Sequence, residues 1–216
     1  RNLRRLAEKV RSTCVFAHVR AASPETGVTE ANCHPFQYQQ FLWMQNGLIP
    51  QFSRVRRRLR DRLDDEFYNM IQGTTDTEHA FALFLHKLRK HLHDYNLETL
   101  RKALVKTIRD LDNIQRDPEI TEAAYFNFAV TDGHNIVASR CVSDADVEPQ
   151  SLYVATGRRF ASLDGVYDMT PAEGRVEAAI NASEPLTEDR EDWTTVPPNH
   201  LVSVSPELHV HISPIN

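Results

Sequence analysis

Cysteine is scarce in this sequence: Cys14, Cys33 and Cys141 are the only three, and they lie far apart. So sparse and odd a set is no disulfide framework, and without a Cys-x-x-Cys pair it offers no thiolate zinc site. A reducing, cytoplasmic setting fits it. No run is long or apolar enough to cross a bilayer. Excess positive charge is also missing. The 25 Lys and Arg stand against 30 Asp and Glu, a formal net charge of −5, which disfavours a dedicated nucleic-acid or anionic-membrane binder. There is no initiator Met and no visible signal peptide; the chain opens on the amphipathic stretch Arg1-Asn2-Leu3-Arg4-Arg5-Leu6. It is expected to begin inside a longer protein. Internal repeats and low-complexity linkers are absent, so residues 1–216 read as a single domain, incomplete at its N-terminus.

What is present suffices for an ordinary core, with 41% hydrophobic and 25% charged residues. Val15–Val19 and Phe41–Met44 read as short strands, the second stopped by the turn signal Asn46-Gly47. Phe52, Val55, Leu59, Leu63, Phe67 and Ile71 recur at helical spacing up to Gly73. Thr75 with Glu78 three residues on reads as a capping box, opening a helix whose apolar face runs from Ala80 to Leu92. Leu97, Leu100, Leu104, Ile108 and Leu111 form a third helical stripe. Beyond it the pattern turns β-like: Tyr125–Thr131 and Asn135–Arg140 joined through Asp132-Gly133, then Leu152–Ala155, Ala178–Ala182, His200–Val204 and Leu208–Ile212. Residues 183–198 read as a loop. Strands flanking a helical block argue α+β.

Four segments gather polar residues at the ends of apolar runs. Arg20, just past the first strand, could fork onto a carboxylate or merely sit in a surface ion pair. Cys33 and His34 are adjacent and would point apart in a strand, so a structural role suits them better than a nucleophile–base pair. Asn46-Gly47 is either a plain turn or an oxyanion hole built from a side-chain amide and a backbone N–H. Asp76 is either a first-turn acid of a helix or the partner of a substrate ammonium group.

In order, these segments are His18-Val19-Arg20-Ala21-Ala22-Ser23, Asn32-Cys33-His34-Pro35-Phe36, Gln45-Asn46-Gly47-Leu48-Ile49 and Thr75-Asp76-Thr77-Glu78. Together they resemble the class II glutamine amidotransferases. Further stretches, Ala80–Leu85, Asn127–Gly133 and Ala182–Thr187 with Trp193 and Val196-Pro197, extend the likeness over nearly the whole chain. They resemble the fungal branch implicated in glutathione degradation.

The resemblance implies an αββα four-layer sandwich of the N-terminal-nucleophile (Ntn) hydrolase type, here lacking its N-terminal part. It implies a cysteine nucleophile at the mature N-terminus, with its own amine as base. Arg20 would bind the substrate α-carboxylate with Ser23 assisting, Asp76 the α-ammonium, and Asn46 and Gly47 the tetrahedral oxyanion. Gln45 stands where the family usually has His, a change expected to alter packing or supporting hydrogen bonds. None of the three cysteines can offer a free α-amine, so the nucleophile is expected upstream of Arg1 and the chain as given is expected to be inactive. The expected full-length activity is hydrolysis of γ-glutamyl amides or peptides, glutamine or glutathione, with no cofactor, no nucleic acid or membrane, and a metallopeptidase-type partner subunit. The alternative is a catalytically inactive regulatory or interaction subunit that keeps a γ-glutamyl pocket.

Two other features have plainer explanations. The arginines from Arg54 to Arg62, interleaved with an apolar stripe and followed by acids, suit a solvated helix face. His79, His86 and His93 recur every seven residues, too widely for a metal site, and none is assigned.

Overall fold

The computed structural model describes residues 5, 9–20, 29–117, 119–163, 166–172 and 174–215. The opening stretch expected to be helical lies mostly outside them, as does Ser23. Four α-helices are described: α1 (Phe52–Arg60), α2 (Asp65–Asn69), α3 (Asp76–Leu88) and α4 (Leu97–Gln115). The strands are β1 (Phe36–Tyr38), β2 (Phe41–Asn46), β3 (Asn127–Thr131), β4 (Ile136–Arg140), β5 (Tyr153–Gly157), β6 (Arg159–Leu163), β7 (Val166–Thr170), β8 (Ala178–Ala182), β9 (Trp193–Thr195), β10 (His200–Val204) and β11 (Val210–Pro214).

The main sheet is antiparallel, ordered β1-β2-β3-β4-β10-β11. Its strands alternate. Phe41 and Trp43 of β2, Phe128 and Val130 of β3, Val137 of β4 and Leu201 of β10 join the helices in the main core. The intervening residues Ala129, Ala138 and Val202 pack instead with Leu152, Val154 and Val196. The sheet is therefore covered by helices on one face and by the second sheet, β8-β5-β9, on the other. The β6–β7 hairpin forms a third, two-stranded unit. No helix among the described residues is long and apolar enough to cross a membrane.

Helix α3 is the centre of this arrangement. Every residue from Thr77 to His86 is buried, a pattern proper to a helix enclosed on all sides. Trp43 fixes it to the sheet: its ring stacks on Phe81 at 5.7 Å between centroids and meets Phe84 at 5.2 Å and Phe128 at 4.7 Å. Truncating such a residue costs about 3–5 kcal/mol. The two buried histidines of α3 are bonded. His79 Nδ1–H donates to Thr75 O at 2.7 Å and its Nε2 accepts from Arg60 Nε at 3.0 Å. His86 Nδ1 meets the Asp64 N–H at 3.3 Å.

Several expectations need correction. Residues 15–19 form no strand among the described residues; the segment is tied instead through side chains, Cys14 Sγ to Thr131 Oγ1 at 3.5 Å and His18 Nε2 to Gln45 O at 2.8 Å. The helix expected from Phe52 to Ile71 breaks into α1 and α2, because Asp64 takes an extended conformation (φ −68°, ψ 157°) while its N–H bonds His86 and its carboxylate meets Arg89 at 2.9 Å. The capping box is half formed. Thr75 accepts from Glu78 N at 3.2 Å, but the Glu78 carboxylate reaches further back, to the N–H groups of Gln72 and Gly73 at 2.8 and 2.7 Å. The loop expected over 183–198 contains β9, which pairs with β5. The arginines of α1 do lie on the expected solvated face: Arg54, Arg56, Arg57 and Arg58 are exposed, with Arg54 reaching Glu119, Arg58 reaching Asp117 and Arg60 lying over the Tyr68 ring.

Candidate active site

The site grows from the C-terminal end of β2. Alternation along this strand sends Phe41, Trp43 and Gln45 into the core and leaves Asn46 exposed. The chain then turns through Gly47. A β-carbon there would lie 2.3 Å from the Tyr125 carbonyl oxygen, so the close approach admits glycine alone. The turn is held on both flanks. Tyr125 N donates to Leu48 O at 2.9 Å, and Ile49 N donates to Asp76 Oδ2 at 2.7 Å. Among the described residues, neither the Asn46 side-chain amide nor the Gly47 N–H has a hydrogen-bond partner.

Asp76 is the first residue of α3. One carboxylate oxygen accepts from Ile49 N and the other from Thr77 N at 2.8 Å. Burial raises its pKa above the ordinary aspartate value, and the backbone bonds from Ile49 and Thr77 pull against that rise. A partly buried carboxylate, short of compensation, favours a cation beside it.

The third part is the segment ending in Arg20. His18 is bonded to the Gln45 carbonyl, and its ring lies 4.3 Å from that of His34. The partly buried Arg20 is close enough for its charge to help depress both imidazoles. Burial is the first cause in each case, and His34 is brought down to about 3. His34 precedes Pro35 across a cis peptide bond, and its ring lies tilted against that of Phe36, 5.2 Å between centroids. The Asn32 segment has a bracing task. Buried Asn32 accepts from Thr74 N at 3.0 Å, and Gly73 lies so near that an added β-carbon would stand 2.5 Å from Asn32 Oδ1. It thereby fixes the loop that delivers Asp76.

The structure therefore joins Asn46, Gly47 and Asp76 through Ile49, and ties the Arg20 segment to Gln45. Two concavities lie elsewhere, one of about 550 Å³ beside the end of α4 and one of about 330 Å³ between Val154 and Val210; neither includes Arg20, Asn46, Gly47 or Asp76. The residues that sequence reading missed are Tyr125, Thr77 and Ile49. Two of these act through backbone atoms, which leave no mark in residue type. Gln45 did leave one, a polar residue on the core-facing side of an aromatic strand.

The chain has relatives of known family and fold. Residues 2–211 match the family described as class II glutamine amidotransferases. The chain is 40% identical over 215 residues to the probable glutamine amidotransferase DUG3 of Saccharomyces cerevisiae, covering 94% of the chain and 60% of that protein. It thus spans less than two thirds of this relative's length. A glutamine aminotransferase class-II domain protein from Silicibacter pomeroyi is similar with a TM-score of 0.58 at 25% identity, over 86% of this chain and 72% of that one. Glutamine phosphoribosylpyrophosphate amidotransferase from B. subtilis shares the fold with a TM-score of 0.51 at 15% identity, over 92% and 34% of the two chains. The mixed helix-and-sheet fold is that of these Ntn-type neighbours, and with the family match extending nearly end to end, the chain belongs to the class II glutamine amidotransferases.

Proposed function

We propose that the chain is the γ-glutamyl-recognising part of an amidohydrolase acting on glutamine or glutathione. The supporting observation is the hydrogen bond from Ile49 N to Asp76 Oδ2, which locks the Asn46-Gly47 turn to the acid at the head of α3. A γ-glutamyl group is zwitterionic at one end and carries its amide carbonyl at the other. An arginine and a carboxylate would fix the zwitterion, Arg20 on the α-carboxylate with Ser23 assisting and Asp76 on the α-ammonium. The carbonyl oxygen would then fall to the Asn46 amide and Gly47 N–H, whose bonds strengthen as negative charge develops.

The nucleophile is the N-terminal cysteine thiol usual in the family, supplied from ahead of Arg1. The internal cysteines suit other work. Burial pushes the Cys141 thiol up to about 12, Cys33 Sγ donates to Thr29 O, and Cys14 meets Thr131. Attack on the γ-carbonyl would give a thioester and release the amine or peptide; water would then release glutamate. The 216 residues alone would bind without turnover. The same proposal includes one domain, a completed αββα sandwich, a cytoplasmic setting and a metallopeptidase-type partner.

Calorimetry with L-glutamine and glutathione tests the binding half, with Asp76→Ala and Arg20→Ala each expected to abolish it. Release of glutamate by the full-length protein tests the catalytic half. Binding without release, in a full-length protein with or without partner, would leave a non-catalytic γ-glutamyl-binding subunit.

A further inference from the structure

The geometry points to Gln45 as a positioning residue that draws the Thr77 hydroxyl proton away from Asp76, leaving that carboxylate to meet the substrate ammonium group. This deepens the γ-glutamyl proposal and rests on it.

Gln45 is 2% exposed and shares the core-facing side of β2 with Phe41 and Trp43, so both ends of its amide need partners. One end lies 3.0 Å from the Tyr125 carbonyl oxygen. A carbonyl only accepts, so this end is the NH2 group, and the orientation of the amide is settled. The other end, Oε1, lies 2.8 Å from Thr77 Oγ1. An amide oxygen also only accepts, so Thr77 donates. A hydroxyl has one proton to give. Its competing acceptor, Asp76 Oδ1, is 3.4 Å away, and the shorter bond takes the proton.

Asp76 is thereby left to backbone donors, Ile49 N on one oxygen and Thr77 N on the other, with lone pairs to spare. A hydroxyl donating to the same carboxylate would occupy acceptor capacity and damp the charge an ammonium group seeks. The anchor at the other end matters too. The Tyr125 oxygen that orients Gln45 is the one that Gly47 packs against. One buried amide therefore touches the supports of both the oxyanion turn and the ammonium acceptor.

The test compares wild type, Gln45→Leu, Thr77→Val and the double variant, with circular dichroism to confirm folding. Two ligands are titrated calorimetrically: L-glutamine, and glutaramate, which lacks the α-amino group. Gln45→Leu is expected to weaken L-glutamine about tenfold, the scale of one charge-assisted hydrogen bond, and to weaken glutaramate, which needs only the turn supported by Tyr125, much less. Adding Thr77→Val should restore most of the loss, since no hydroxyl remains to compete. Carbon NMR of the Asp76 carboxyl gives a reading without ligand. Its titration midpoint should fall in Gln45→Leu and return in the double variant. Equal weakening of both ligands, or no recovery in the double variant, overturns the role of Gln45 while the γ-glutamyl site stands. Wild type that binds neither ligand overturns the site itself; an Asp76 midpoint that then fails to move in Gln45→Leu overturns the proton assignment separately.

Discussion

Gly47 lies against the carbonyl of Tyr125 so closely that a β-carbon at position 47 would stand 2.3 Å from its oxygen and 3.0 Å from its carbon. Both obstacles are backbone atoms, and Tyr125 is itself pinned by its N–H to Leu48 O. Gly47→Ala is expected to cost about 2–3 kcal/mol, as overpacking in a closed space does, and to remove L-glutamine binding by displacing the turn. Urea midpoints and calorimetry together check this; unchanged stability with intact binding would contradict it.

Asp76 must be ionised to hold an ammonium group, yet burial favours its protonated form. L-glutamine keeps both its own charges in mild acid and has no titrating side chain. Its affinity should therefore fall on acidification with a midpoint above the ordinary aspartate value of 3.8. The matching stability effect has the opposite sign. A carboxyl whose folded pKa is raised holds its proton more tightly in the fold, so this group adds stability as pH drops through the folded value. Calorimetric titrations between about pH 4 and 8 check the first effect.

His79 is buried as the neutral ring. Burial first, then Arg60 and Arg56, lower its pKa from 6.5 to about 4, against the raising effect of its bond to Thr75. An unfolded chain takes up this proton near 6.5 and the folded one does not, so the contribution is complete above 6.5 and is lost as pH falls towards 4. The loss is on the order of 3 kcal/mol at about 1.4 kcal/mol per pH unit. His34 pulls in the same direction. Denaturant melts from pH 7 to about 4.5 should show the slope, and His79→Gln should flatten part of it.

Arg140 is 6% exposed and clamps the two sheets. Its guanidinium donates to Gln150 O at 3.1 Å, Val196 O at 2.8 Å and Glu148 Oε1 at 2.6 Å. Arg140→Ala should cost about 2–3 kcal/mol, since the buried carbonyls of Val196 and Pro149 lose a charged donor together. Amide hydrogen exchange should quicken first around 149–154 and 194–196; uniform exchange across the chain would argue against a local clamp.

The helices were legible because burial on one side writes a period into the sequence, as in Leu100, Leu104, Ile108 and Leu111. The Asp132-Gly133 turn was legible for a different reason: Gly133 adopts φ 90°, and Asp132 Oδ1 accepts from the N–H of both His134 and Asn135. The β6–β7 hairpin went unseen because Tyr167, Asp168 and Thr170 stay exposed and give no alternation against a core. Asn46, Gly47 and Asp76 could be named from motif order, while the atoms joining them, Ile49 N and Tyr125 O, belong to the main chain. The break at Asp64 depended on His86 and Arg89, over twenty residues away.

β2 carries Gln45 inward and Asn46 outward, and pairs them with Phe128 and Asn127 of β3. A strand registers its side chains by parity, so slipping or inserting one residue would exchange inside for outside at every position at once. Trp43 would then leave the aromatic cluster at the very step that turned Asn46 into the protein interior. Errors of alignment in this sheet thus cannot spoil the chemistry quietly; they also forfeit the fold, and folding itself proofreads the site.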